Sequence, residues 1–318
     1  MQIFSHTDIA QLQIRPQQCV EWISESFRMK KQATLPTKIS IHPQADDFFN
    51  TMPCLLPQQA DGQQFFGVKI VNRIAGNTPS LSSEILLYNA HTGVLMALLD
   101  GDWITTMRTG AVATFAAQLF RHSANAVYGM IGLGNTARAT LLCLLDTEPE
   151  TMHQVLLLRY KDQAEQFIER FSAFSNVRFT IIDEAPQLVS QSDVVISCLT
   201  SAPQLLCPDD RLFREGIVVI PVHTRGFQNC DLFFDRVICD DRGHVSNFRY
   251  YDQFHNFCEM SDVLDGSHPG RQGREERILC YNIGLGLHDV LFASKILKQM
   301  QDIHLNIPLN KETRKFWV

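Results

Sequence analysis

Three groups of residues in this chain have types and spacings that could do chemistry. Residues 126–137 read Ala-Val-Tyr-Gly-Met-Ile-Gly-Leu-Gly-Asn-Thr-Ala, an apolar run ending in Gly132-x-Gly134-x-x-Ala137, and a helical pattern follows at once. A dinucleotide pyrophosphate needs that order. The first glycine permits a tight turn, the second lets backbone approach phosphate with no Cβ in the way, and Ala137 lets helix and strand pack closely. The helix start, at Asn135 and Thr136, offers its N–H groups to the anion. Val155–Leu158 then reads as a second buried strand, at the distance that one strand–helix–strand unit requires. Arg159 and Lys161 follow that strand, where an NAD-selective site would carry an acid. The expected cofactor is therefore NAD or NADP. The basic pair favours NADP(H), whose 2′-phosphate it would meet, unless the two are ordinary surface cations.

The second group is a single residue. Lys69 sits inside the apolar strand Phe65-Phe66-Gly67-Val68-Lys69-Ile70-Val71. Strict alternation puts it on one face with Phe65, Gly67 and Val71. It either points to solvent at a sheet edge or is held in a pocket. In a pocket, desolvation would lower its pKa and make it useful as an acid or base.

The third is Arg108, expected in the first turn of a helix over 105–120, after Asp102 and the candidate caps Thr105 and Thr106. A cation near a helix N-terminus opposes the macrodipole. It makes more sense there if an anion arrives, because the guanidinium fork would then clamp a carboxylate. The alternative is a surface arginine paired with an acid such as Asp102. Thr109, and Thr200 past the strand near 194–198, complete the expected cofactor contacts.

These groups need elements to hold them. A helix is expected over 17–32, with Val20, Ile23 and Phe27 on an apolar stripe. Pro36, Pro43, Pro53 and Pro57 then favour short strands and turns. Phe65–Val71, Glu84–Tyr88 and Val94–Asp100 read as strands, and 105–120 as a strong helix. From about 121 the pattern alternates. Strands are expected near 126–131, 155–158, 177–182, 194–198, 217–221 and 236–240, and helices near 135–146, 162–173 and 184–190. The fold class expected is α/β: a Rossmann-type doubly wound parallel sheet plus a smaller α+β domain. A last helix over 283–301 should pack back on the first domain. The domains are thus 1–120 with 287–318, and 121–286.

Composition narrows the function. The 318 residues carry 28 basic and 34 acidic side chains, a net −6, without a basic block, so nucleic acid is not an expected partner. The longest apolar runs fall far short of a membrane span, and the N-terminus lacks a signal-peptide pattern. Nine scattered cysteines with no CxxC pair suit free thiols in a reducing cytoplasm. Asp240, Asp241 and His244 read as a solvated turn rather than a metal site, and no metal is expected.

Taken together, Gly67-Val68-Lys69, Leu99-Asp100-Gly101-Asp102-x-Ile104-Thr105-x-x-Arg108-Thr109-x-Ala111, Ile131-Gly132-Leu133-Gly134, Ser192-Asp193-Val194-Val195 and Gly284-x-Gly286-x-x-x-Asp289 resemble the ornithine cyclodeaminase and mu-crystallin family. The likeness covers nearly the whole chain. It implies a homodimer whose first domain, with the C-terminal helix, binds substrate and dimerises while the second binds NAD(H) or NADP(H). It implies hydride transfer between an amine and an imine at Cα of a small amino or imino acid. The alternatives are an ornithine cyclodeaminase-type lyase, or a ligand-binding protein that retains NADP(H) with little turnover. By motif position Lys69 resembles the active-site lysine and Arg108 the carboxylate-binding arginine. Lys38 falls where a second such arginine is frequent. His223 stands where cyclodeaminases carry an aspartate for the distal amine, and Arg225 replaces a proline. An imidazole suits an ammonium group poorly but could serve as acid or base, and Arg225 could meet an acidic side chain. Both departures favour a reductase or dehydrogenase.

Overall fold

The elements run β1 (Gln2–Phe4), α1 (His6–Gln11), α2 (Pro16–Met29), β2 (Ile39–Ile41), β3 (Phe48–Leu55), β4 (Phe65–Arg73), β5 (Leu81–Asn89), β6 (Leu95–Asp100) and α3 (Asp102–Phe120). They continue with β7 (Val127–Ile131), α4 (Asn135–Thr147), β8 (His153–Leu158), α5 (Gln163–Arg170), β9 (Val177–Ile182), α6 (Ala185–Gln191) and β10 (Val194–Ser197). The last are β11 (Val218–Pro221), β12 (Arg236–Cys239), α7 (Arg242–Val245), β13 (Cys258–Glu259), α8 (Met260–Leu264), β14 (Ile278–Tyr281), α9 (Gly286–Gln299) and β15 (Leu305–Asn306). This computed structural model describes residues 1–44, 47–222, 226–300 and 305–308. The architecture is the expected α/β class, and the chain forms two units. The first takes Met1–Gln13, Gln32–Thr105 and the described residues from Asp289 on; the second takes Ile14–Lys31 and Thr106–His288.

The first unit is built on a seven-stranded sheet in the order β15-β1-β6-β5-β4-β3-β2. Strands β2 to β6 form an antiparallel meander, and β1 joins β6 in parallel. Alternation on β4 is strict. Phe65, Gly67, Lys69 and Val71 are buried, while Phe66, Val68, Ile70 and Asn72 are half-buried on the other face. At the β2 edge of that other face Ile39, Ile41 and Phe49 are 60%, 63% and 39% exposed. Register places Ile41 directly opposite Phe49.

The second unit carries an eight-stranded sheet, β13-β12-β14-β11-β10-β7-β8-β9, with every pairing parallel. Strands β10, β11, β12 and β14 are buried along their whole length, as strands covered on both faces must be. Two strands go beyond the six expected from the sequence. β13 has only two residues, and β14 is four residues that follow the charged run Arg274–Arg277. β14 inserts between β11 and β12. Helix α2 belongs to this unit, with Val20, Trp22, Ile23 and Phe27 buried; it ends at Met29, and residues 30–32 tighten into a 3₁₀ turn. Among the described residues no helix is long and apolar enough to cross a membrane.

Candidate functional site

Lys69 lies on a central strand. Its neighbours across the ladder are Met52 on β3 and Ile85 on β5, so the edge reading fails. Its Nζ stands 2.8 Å from Asp289 Oδ2, and both side chains are 0% exposed. The approach depends on Gly67, two residues earlier on the same face. A Cβ there would come 2.7 Å from Val290 Cγ2, so only glycine lets α9 settle against β4 and bring Asp289 to the lysine. Burial, reinforced by the Asp289 charge, pushes the nearby Cys54 thiol up to about 12. Asp289 enters the sequence reading only as the last position of the Gly284-x-Gly286-x-x-x-Asp289 block, with no role assigned to it. Locally it is an acid in the first turn of α9. Lys38 is half-buried in the extended segment before β2.

The glycine turn of the second unit follows β7. Gly132 has φ +78, and a Cβ would fall 2.9 Å from the backbone carbon of Cys198. Gly134 precedes α4, and a Cβ on it would meet nothing within 4 Å. No side-chain cap reaches the start of α4 among the described residues. An open surface above Gly134 and an uncapped helix start, at Asn135, Thr136 and Ala137, fit a pyrophosphate. Helix α3 approaches α4 backbone to backbone: a Cβ on Gly110 would lie 2.5 Å from the Thr140 nitrogen, and Thr114 Oγ1 donates to the Thr140 carbonyl at 2.8 Å. Thr109 is thereby carried close to α4. Thr200 is exposed beyond the end of β10.

Arg108 differs from its expected setting. The helix begins at Asp102, not Thr105: the Asp100 carboxylate accepts the first helical N–H, and Ser83 holds the Asp102 side chain. The Asp102 N–H donates to Asp100 Oδ1 at 2.9 Å, and its carboxylate accepts the Ser83 N–H at 2.6 Å. Arg108 is therefore in the second turn, and it is 6% exposed, so it is not a surface arginine. Its guanidinium lies against the turn between β14 and α9. Gly284 there has φ +99, and a Cβ on it would sit 2.6 Å from Arg108 Nη1. The structure thus brings Arg108 together with the Gly284 turn, and Lys69 together with Asp289. His223 and Arg225 lie outside the described residues.

Arg159 and Lys161 follow β8 as expected. The Arg159 Nε donates to Asp183 Oδ1 at 2.6 Å, and its Nη1 pairs with Glu165. Lys161 has φ +51 and lies over the Tyr160 ring, 5.4 Å from its centroid. The acids of the 240–244 segment part company. Asp241 caps α7 through the Gly243 N–H at 2.8 Å and pairs with the buried Lys30 at 2.9 Å. Asp240 points inward, is 0% exposed, and accepts the Gly284 N–H. Burial raises its carboxyl above the usual aspartate range, against the opposing pull of His244 and that N–H. Among the described residues no three His, Cys, Asp or Glu side chains group as metal ligands.

The geometry agrees with what the chain is similar to. The family model described as the ornithine cyclodeaminase/mu-crystallin family matches residues 2–303. The nodulation efficiency protein NfeD of Rhizobium meliloti is 26% identical over 278 residues, 85% of each chain. The N-((2S)-2-amino-2-carboxyethyl)-L-glutamate dehydrogenase of Staphylococcus aureus is 24% identical over 264 residues, 78% of this chain and 77% of that one. An archaeal alanine dehydrogenase, solved as a dimer with bound NAD, superposes with a TM-score of 0.83 at 20% identity, covering 98% of this chain and 99% of that one. With its signature blocks on both sheets and a family match over nearly its full length, the chain belongs to the ornithine cyclodeaminase/mu-crystallin family.

Proposed function

We propose that this protein is a nicotinamide-dependent oxidoreductase acting on the Cα–N bond of a small amino or imino acid. One observation carries the reading: a lysine held wholly inside a sheet by a buried aspartate, in a chain that also has a dinucleotide-type glycine turn. A buried ion pair contributes little to stability, so its retention is better explained by chemistry. The second unit holds the nucleotide at Gly132, Gly134, Asn135, Thr136 and Ala137, with Thr109 and Thr200 as further contacts. A nicotinamide bound there supplies a hydride acceptor or donor.

In the oxidative direction the Cα–H bond breaks and its electron pair leaves as hydride. The α-ammonium gives up one proton, and a C=N bond forms. Lys69, as the neutral amine for this step, accepts that proton, and Asp289 holds the ammonium so formed. Arg108 binds the substrate carboxylate, assisted by Lys38, and keeps Cα oriented. His223 acts as a further acid or base, and Arg225 receives an acidic side chain. NADP(H) is the favoured cofactor, on Arg159 and Lys161. A homodimer forms through the exposed apolar patch of Ile39, Ile41 and Phe49 at the edge of the first unit's sheet. The nine free, buried thiols suit a cytoplasmic setting.

The test is a screen of amino acids, and of keto acid and amine pairs, with NADH and NADPH, followed at 340 nm and by ammonia release. Absorbance change that depends on the amino or imino acid supports the proposal. Ammonia release with unchanged cofactor identifies a cyclodeaminase instead. Tight cofactor binding without turnover identifies a ligand-binding protein. Arg108→Ala should raise KM and lower kcat while leaving cofactor affinity alone.

A further inference from the structure

We propose that Asp240 is a positioning residue that fixes the Gly284 turn and, through it, the Arg108 guanidinium. The function of that arrangement rests on the reading of Arg108 as the carboxylate ligand. Asp240 follows the last residue of β12, at the carboxyl edge of the parallel sheet. Its own N–H donates to the Tyr281 carbonyl at 3.1 Å, continuing the β12–β14 ladder and setting its place beside the residues just past β14. There Oδ2 accepts the Gly284 N–H at 2.5 Å. The same turn is tied to a second strand, because the Asn282 N–H donates to the Pro221 carbonyl of β11 at 3.1 Å.

Between these anchors Gly284 takes φ +99, and its α-carbon is packed against the guanidinium. A Cβ would lie 2.6 Å from Nη1 and 3.2 Å from Nη2. Gly284 is therefore held through its N–H by one buried charged side chain and abuts another. Any shift of the turn moves the surface on which Arg108 rests.

Stability alone does not explain an acid here. Asp240 is 0% exposed, and among the described residues its Oδ1 has no hydrogen-bond partner. The charges of His244 and Lys30 only partly offset that burial, and for the Gly284 N–H alone a neutral acceptor would serve. What a carboxylate adds is a short, charge-assisted bond, which confines the turn more tightly than a neutral one.

The test uses the full chain labelled with ¹⁵N-arginine, with the Arg108 Nε–H signal assigned by its loss in Arg108→Lys. In Asp240→Ala that signal should shift or broaden. Carboxylate affinity should fall about tenfold, and affinity for NADH and NADPH should stay within about twofold. The carboxylate probe is pyrrole-2-carboxylate, whose ring carbon has no hydrogen to give up, titrated at saturating NADH. Asp240→Asn, whose amide oxygen can accept the same N–H, should restore the Arg108 signal and most of the probe affinity. If Asp240→Ala does not fold, Asp240→Ser takes its place, since the shorter side chain withdraws the oxygen from Gly284. An unmoved Arg108 signal in the folded variant overturns the proposal. So does an Asn variant as impaired as the Ala one. A moved signal with unchanged probe affinity supports the positioning and refutes the assignment of Arg108 as carboxylate ligand.

Discussion

Removing either member of the Lys69–Asp289 pair should be far more damaging than removing both. The two groups stand 2.8 Å apart with no exposure. At an effective dielectric of about 20 their attraction is on the order of 6 kcal/mol, offset by the desolvation of two ions. Asp289→Asn keeps the shape and leaves an ammonium buried without its counter-charge. Lys69→Met does the reverse to the carboxylate. Each should destabilise the protein by about 3–5 kcal/mol. The double variant Lys69→Met/Asp289→Leu replaces the pair with apolar groups of similar size and should lie within about 1 kcal/mol of the parent. The measurement is urea unfolding of the four proteins without cofactor, treated as a double-mutant cycle, with turnover followed at 340 nm. Stability should return in the double variant while turnover stays absent, which separates the chemical role of Lys69 from any role in folding. A coupling energy near zero, with the double variant as unstable as the two single losses added together, would refute the reasoning. So would a double variant that retains turnover.

Three further outcomes are expected. Arg159→Ala should weaken NADPH binding about tenfold relative to NADH, because a 2′-phosphate loses a charge-assisted donor that the ribose hydroxyl uses less; fluorescence titration with both nucleotides checks it, and an unchanged ratio removes Arg159 from cofactor selection. Ile41→Glu should convert a dimer to a monomer in sedimentation velocity, since it places a charge in the exposed apolar patch with Phe49; an unchanged mass assigns the interface elsewhere. Asp231 is the pH probe. Burial pushes its carboxyl up to about 6 despite the Tyr281 hydroxyl that donates to it at 2.7 Å. The folded state then binds a proton that the unfolded state has already lost, so stability falls as pH rises from about 4 to about 6, by roughly 3 kcal/mol. Asp231→Asn removes that slope, and its stability relative to the parent should rise by the same amount between pH 4 and pH 7. Urea melts at the two values decide it, and a difference that does not vary with pH refutes the assignment.

The glycine turn is legible in the sequence because every requirement is local. An apolar strand, a positive φ at Gly132 and a small residue at Ala137 all fall within a dozen positions. Lys69 is half legible: alternation gives its face, but not whether its strand is central. That depended on β2 and β3, which come from a proline-rich stretch with little periodicity. The start of α3 is earlier than the pattern suggests, because Asp100 takes the Asp102 N–H and the Asp102 carboxylate is fixed by the Ser83 N–H, on a strand nineteen residues earlier. Strand β14 is too short to announce itself beside the charges that precede it.

The acids at 240 and 241 mark the limit most sharply. Adjacent in sequence, they read as one solvated turn. Yet at the end of a parallel strand successive side chains leave on opposite sides, so Asp240 turns into the protein toward Gly284 while Asp241 caps a helix and meets Lys30. Composition cannot separate them, because the difference lies in which strand stands next to β12. That neighbour is β14, the strand the sequence hid. Finding it changes the reading of Gly284 as well. A glycine that in the sequence is one position of the Gly284-x-Gly286-x-x-x-Asp289 block becomes the point where a buried carboxylate meets the surface beneath Arg108, and a substitution at Asp240 becomes a way to disturb Arg108 without touching it.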